Sequence, residues 1–348
     1  MRRVAAWIVQ HQVTAFFALT YALTWGLWLP RMLTRLDVLE VLGFVGLFAP
    51  AVACIVMARI AEPGRTRGHR GCPRAVLLVS WVLVTLIFVL NARRSSGVLS
   101  PAAVVVFAVV ALIRSFVVAS GFSGFPGVRV RLQSLVRPTG HGLWYLLALL
   151  LVPVPRVVSL PISRWLGWET VSDPGPAGVT WVWAASVAVS FLYTAIAAGG
   201  INEETGWTGF ALPGLQRHHS PLVATVILWF FWIRWHMPLH FAGVWNPELD
   251  SLLRSLVGAF FARFIFTWLY NRSSGGLWTA ILFHVSANVA FEFLPVTPLQ
   301  FILEAAVAVA VVVGGRMWMK LPNPACAGSK PPLWVRNLDD GVIRNATT

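Results

Sequence analysis

Charge is scarce in this chain of 348 residues: charged side chains make up 11% of it, and lysine is nearly missing, with Lys320 and Lys330 alone. A length that would otherwise suggest about two soluble domains does not imply them here. Cysteine is scarce too. Cys54, Cys72 and Cys326 are odd in number and form no CxxC or other metal spacing, which speaks against a disulfide framework and gives them no role. Acidic residues number 13 against 27 Lys and Arg, a net charge of +14, yet no single face or tail collects the basic residues. They lie mostly in short loops between apolar tracts, so the excess is assigned to membrane orientation and anionic lipid, and no nucleic acid is expected as a partner.

What is abundant is apolar sequence, 57% of the chain. Tracts approaching the ~20 residues that span a bilayer recur at 13–28, 39–58, 75–90, 101–120, 143–158, 179–198 (running on toward Leu212), 222–241, 253–270, 277–294 and 299–315. The expected fold is all-α: a polytopic transmembrane helical bundle of about ten helices. Residues 1–178 read as N-terminal transmembrane helices with basic loops, 179–295 as the core that carries the chemistry, 296–315 as the last helix and 316–348 as a polar cytoplasmic tail. The N-terminal run lacks a small-residue cleavage site and reads as a retained helix rather than a signal peptide. The loops 62–73 and 121–142 read as solvated connectors. The stretch 161–178, with Trp165 and Trp168, reads as an interfacial piece on the outer face. With the N-terminus inside, the inner loops hold ten arginines and the outer loops five. Both termini are therefore expected in the cytoplasm, in an integral protein of a bacterial plasma membrane.

Three polar groups interrupt the later spans. Glu203 and Glu204 stand in INEETGWTGFAL, residues 201–212, between tracts without charge. A carboxylate within a membrane costs roughly 2.5–3.5 kcal/mol on insertion scales, so function is its default explanation. Next come Trp232, Arg234, His236, Pro238 and His240, and then His284 and Asn288, whose four-residue spacing stacks imidazole and amide on one helical face. At ~1.5 Å per residue, Glu203, His284 and His236 fall roughly 14, 11 and 21 Å above the cytoplasmic end, so a shared site is geometrically allowed. A carboxylate beside an imidazole can take a proton from water and hand it to a leaving amine, while a second imidazole and an amide steady an oxyanion. The same residues suit a zinc site of one Glu and two His. His218 and His219 read as solvated, and His240 as a weak metal candidate because Pro238 disturbs the helix between it and His236. Glu292 and Glu304 read as outer-end or interhelical acids.

The run GGINEETGWTGFALP from Gly199 to Pro213 is followed by Trp232-xxx-His236-x-Pro238, by Thr267 to Asn271 with Gly275-Gly276, and by His284-xxx-Asn288. In this order and spacing the motifs closely resemble the CPBP family, which comprises the CAAX prenyl endopeptidases and the bacteriocin-processing or Abi proteins. The resemblance covers about 179–294. It implies an intramembrane endopeptidase whose site opens toward the cytoplasm, with Glu203 and His236 activating water, His284 and Asn288 supporting the oxyanion, and Glu204 in a supporting role. It also implies a glutamate mechanism that uses no cofactor, with zinc on Glu203, His236 and His284 as the alternative. The partners would be membrane lipids and a membrane-associated protein or peptide substrate. One departure stands out. The family's first motif is EExxxR, and Thr208 occupies the arginine position. Arg234 is the candidate to supply the missing charge, although two helical steps turn it about 200° from His236. The loss of the arginine also keeps open a catalytically weak relative with a bacteriocin-immunity or scaffold role, and buried Glu and His keep open a proton-coupled transporter.

Overall fold

A computed structural model describes residues 2–34, 43, 45–61, 73–97, 99–168, 170, 180–241 and 248–322. Residues 62–72 of the expected connector 62–73, half of the expected interfacial piece at 161–178 and the tail from 323 onward lie outside the described residues.

The described chain is a helical bundle without strands. Its helices are α1 (Arg2–Gln10), α2 (Gln12–Thr34), α3 (Ala49–Ala61), α4 (Pro73–Ser96), α5 (Pro101–Ser120), α6 (Pro126–Val136), α7 (Gly142–Leu150) and α8 (Pro153–Trp165). Then follow α9 (Trp181–Ile196), α10 (Gly200–Gly206), a π-helical stretch (Trp207–Ala211), α11 (Leu212–Gln216), α12 (Pro221–Trp235), α13 (Met237–Phe241), α14 (Leu249–Arg272), α15 (Leu277–Phe293) and α16 (Pro298–Gly314). Seven helical stretches among the described residues are long and apolar enough to cross a membrane, and Ala49–Ala61, Leu277–Phe293 and Pro298–Gly314 are shorter apolar helices. Each of the ten apolar tracts of the sequence overlaps one of these helices.

Local chemistry sets the helix starts. Ser100, Ser220 and Thr297 accept a hydrogen bond from the backbone N–H three residues on, each followed by a proline at the first helical position, where its missing N–H costs nothing. Thr180 caps α9 in the same way through Trp183. Lipid is as apolar as leucine, so the hydrophobic effect does not drive these helices together; close packing and interhelical hydrogen bonds do. Three such bonds fasten α2 to α12: Tyr21 to the Phe231 carbonyl at 2.6 Å, Trp25 to the Trp235 carbonyl at 3.2 Å, and the Trp235 indole to Thr24 Oγ1 at 2.7 Å. Trp207 and Trp235 cross edge-on at 5.8 Å inside the cluster that α2, α3 and α12 enclose.

α10 lies between α3 and α15. Its close seat on α3 depends on Gly206, because a Cβ there would come within 2.6 Å of the Pro50 carbonyl oxygen. At the far end of α15, Glu292 pairs with Arg94 of α4 at 2.7 Å and accepts a hydrogen bond from Ser190 of α9. Glu304 accepts from Gln300 at 2.7 Å and lies 3.9 Å from Arg156, whose Nη1 reaches the Ala290 carbonyl at 3.2 Å. Both acids therefore make ties between helices, Glu292 near the end of α15 and Glu304 within α16.

Candidate active site

α9 stops at Ile196, and the chain turns through Gly199, whose φ of +125° is closed to ordinary side chains. It restarts as α10, with the Glu203 N–H bonded to the Gly199 carbonyl at 2.7 Å. This break lets two adjacent acids enter the bundle and face different partners.

Glu203 faces α12. Its Oε2 accepts a hydrogen bond from the Trp232 indole at 2.7 Å and lies 3.7 Å from His236 Nε2. His236 Nδ1 is 2.9 Å from the Trp232 carbonyl oxygen. That carbonyl can only accept, so Nδ1 carries the proton and Nε2 presents a lone pair toward Glu203. The 3.7 Å separation is too long for a direct bond. A water placed off the line between the two atoms can bond to both.

Glu204 faces α14 and α15. Its Oε1 is 2.8 Å from His284 Nδ1, and its Oε2 takes a hydrogen bond from Thr208 and a 3.1 Å ion pair from Arg263 Nη1. Arg263 is fully buried, its guanidinium 4.3 Å from the Trp232 ring and 4.5 Å from the Phe266 ring. Buried charge persists only when paired and packed in this way. Glu204 orients His284 by its Nδ1, leaving Nε2 to look toward Glu203.

Between these two groups lies Gly199. A Cβ on this residue would sit 2.7 Å from His284 Nε2 and 3.3 Å from Glu203 Oε1. The absent side chain thus leaves a small space lined by one imidazole nitrogen and one carboxylate oxygen.

The bundle therefore brings together Glu203, Glu204, His236 and His284, all buried. Asn288 stands one turn along α15 from His284, but it is exposed and makes no hydrogen bond to the cluster. Arg234 does not supply the charge missing at Thr208. It is exposed and lies over the Phe230 ring at 4.7 Å, on the outer face of α12, as the 200° rotation from His236 requires. Arg263 supplies that charge. The sequence carried a signal for it, an arginine in the middle of the apolar tract 253–270, nine residues past Arg254 at the tract's edge. Trp232 and Gly199 gave no such signal, since their roles appear only when α10, α12 and α15 are packed.

Glu203, Glu204 and His284 bring potential metal ligands within 4.8 Å of one another. Glu204 is poorly suited to a metal, because an imidazole, a hydroxyl and a guanidinium already occupy its two oxygens. The donors left facing the space are Glu203 Oε1 and His284 Nε2, with His236 Nε2 on the other side of Glu203. His236, the third member of the zinc set expected from the sequence, lies 3.7 Å from Glu203 Oε2 but outside the group whose ligand atoms all lie within 4.8 Å of one another, so two donors face the space and Glu204 orients His284 from behind.

The comparisons with known proteins fall on this same stretch. Residues 178–290 match the family model described as type II CAAX prenyl endopeptidase Rce1-like. The segment is Rce1-like. The chain is also 30% identical over 111 residues to CAAX prenyl protease 2 of Methanococcus maripaludis, an alignment that takes in 30% of this chain and 41% of that relative. The chain thus spans less than half the length of the curated relative it matches. The Rce1-like segment contains Gly199, Glu203, Glu204, Thr208, His236, Arg263, His284 and Asn288, and ends before Glu292. It leaves out α1 to α8, although α2 and α3 pack directly on its helices.

Proposed function

We propose that the chain is an intramembrane endopeptidase, in which Glu203 and His236 activate water against a peptide bond of a membrane-associated protein or peptide. The observation that carries this reading is the placement of Glu203: one oxygen within a water's reach of a His236 lone pair, the other facing His284 Nε2 across the space at Gly199. The likeness to CAAX endopeptidases supports it.

In this reading Glu203 takes a proton from a water held between it and His236 as that water's oxygen attacks the peptide carbonyl. The carbonyl oxygen, now an oxyanion, is stabilised from the α15 side by the Asn288 amide and by His284 as the imidazolium, which keeps its Nδ1–H on Glu204 and donates from Nε2–H to a substrate lying along α15. The proton then passes to the leaving nitrogen, the C–N bond breaks, and a carboxyl and an amine terminus result. Glu204 and Arg263 act through His284 and do not touch the reacting atoms. A zinc ion on Glu203 and His284 would add Lewis-acid polarisation of the carbonyl. The proton path described needs only the side chains, and cleavage is expected to survive a chelator. The excess of arginine in the loops on one side of the spans supports an orientation with both termini and the mouth of the site on the cytoplasmic side of the membrane. Arg263 on Glu204 weighs against the catalytically weak alternative, which rested on the missing motif arginine.

The direct test compares peptide termini by mass spectrometry in membranes with and without the expressed chain. New termini that persist with a chelator are expected. Their absence would sink the reading, and their loss on chelation would replace the metal-free step by a zinc site.

Gly199→Ala gives a sharper local check. The methyl group would enter the space between His284 and Glu203, and the backbone at φ +125° would be strained by roughly 1–3 kcal/mol. Cleavage is expected to fall by at least about tenfold, beyond what any lost protein explains, once rates are normalised to folded enzyme. An unchanged normalised rate would show that the reacting water and carbonyl lie elsewhere.

A further inference from the structure

Two cavities meet where α2 passes α11 and α12. The first, about 240 Å³, is polar: His11, Gln12 and Thr14 at the start of α2 face Arg217 and His218 just beyond α11. The second, about 730 Å³, continues from it between α2 and α12 and is walled by Phe17, Ala18, Tyr21, Ile227 and Phe230. Val13, Thr14, Gly214 and His218 line both, so the two form one channel with a polar end and an apolar length. Ala18 and Phe230 are exposed, so it opens sideways from the bundle.

An apolar groove on a membrane protein accepts any acyl chain; the polar end selects the headgroup. Here no acidic side chain lines either cavity: His11 and Arg217 line the first, His218 lines both, and His219 and Arg234 line the second. The channel has room for a long chain. From Val13 to Trp25, the α2 residues that line it, the helix rises roughly 18 Å, which exceeds half of a ~30 Å hydrocarbon core. We infer that this channel is a binding site for an anionic phospholipid, its headgroup at His11, Arg217 and His218 and one acyl chain along Phe17, Ala18 and Phe230. The inference stands apart from the protease reading.

The site also abuts the helix that carries the acids. Phe210 of the π-helical stretch and Pro213 line the polar end, and Phe17, stacked on Phe231 at 4.2 Å, reaches Trp207 at 5.9 Å. A bound lipid would therefore brace the far end of the Glu203 and Glu204 helix.

The test is native mass spectrometry of the full chain in detergent with equal amounts of phosphatidylglycerol and phosphatidylcholine. Retained lipid is expected to favour phosphatidylglycerol by about fivefold, the effect of one cationic side chain near a membrane surface. Arg217→Gln with His218→Gln should remove the preference while lipid is still retained. Ala18→Phe, a substitution at an exposed position, should displace one bound lipid of either kind. Equal retention of the two lipids by the native chain, or a preference unchanged in both variants, would overturn the site.

Discussion

Glu203→Gln is expected to lower peptide-bond cleavage by roughly a thousandfold, within the 10²–10⁴-fold range of general acid–base catalysis. The substitution keeps the shape of the side chain, and its carbonyl oxygen can still accept the Trp232 indole N–H that now holds Glu203 at 2.7 Å. It removes the ability to take a proton. His236 would remain with its lone pair and no carboxylate within 3.7 Å. Folding should change little, since an amide is cheaper to bury than a charge. The check is the rate at a mapped cleavage site with purified protein, alongside the thermal midpoint. A rate near that of the native chain would remove Glu203 from the mechanism.

Arg263→Leu is expected to have the second-largest effect, and it acts on stability and turnover together. Removing one partner of a buried ion pair leaves the other uncompensated, at a cost of about 3–5 kcal/mol. Glu204 is fully buried, so it feels the full loss, and the Trp232 and Phe266 rings lose the cation packed against them. Adding Thr208→Arg to Arg263→Leu should recover much of both losses, because it returns a guanidinium to Glu204 from the motif position. Arg263→Lys is the control: it keeps the charge but gives up the planar group that stacks on two rings. Thermal unfolding and turnover of the three variants decide the matter. If Arg263→Leu alone is harmless, or the double variant is no better than the single one, Arg263 is not the relocated cation.

The architecture was legible because spanning a membrane imposes a length and a composition on each helix. The acids and imidazoles were legible for the complementary reason: a titratable side chain inside an apolar tract is conspicuous. Arg263 meets the same criterion from outside any recognised motif, whereas Arg234 lies inside one. Helical rotation, which already counted against Arg234, proved the better guide. Thr208 read as a loss, whereas its hydroxyl donates to the same Glu204 oxygen that Arg263 pairs with. Gly199 and the Trp232 indole were beyond reach, since a space and a hydrogen bond across three helices exist only after assembly. Asn288 shows the limit of periodicity. Four-residue spacing places it along α15 from His284, but not how deep its neighbours bury it.

The contact of Gly206 with Pro50 bears on how far the Rce1-like segment is a self-contained module. Helix α10 is walled on one side by α3, which lies more than a hundred residues upstream of the matched stretch. A segment cut at 178 would leave that face of α10 against lipid, with Trp207 and Phe210 stripped of Phe16 and Phe17. Residues 178–290 of this chain need a helix at that place that offers an equally bare stretch of backbone opposite Gly206. Grafting the motifs onto another membrane scaffold is therefore a problem of matching one helix surface, and copying the polar residues alone does not address it.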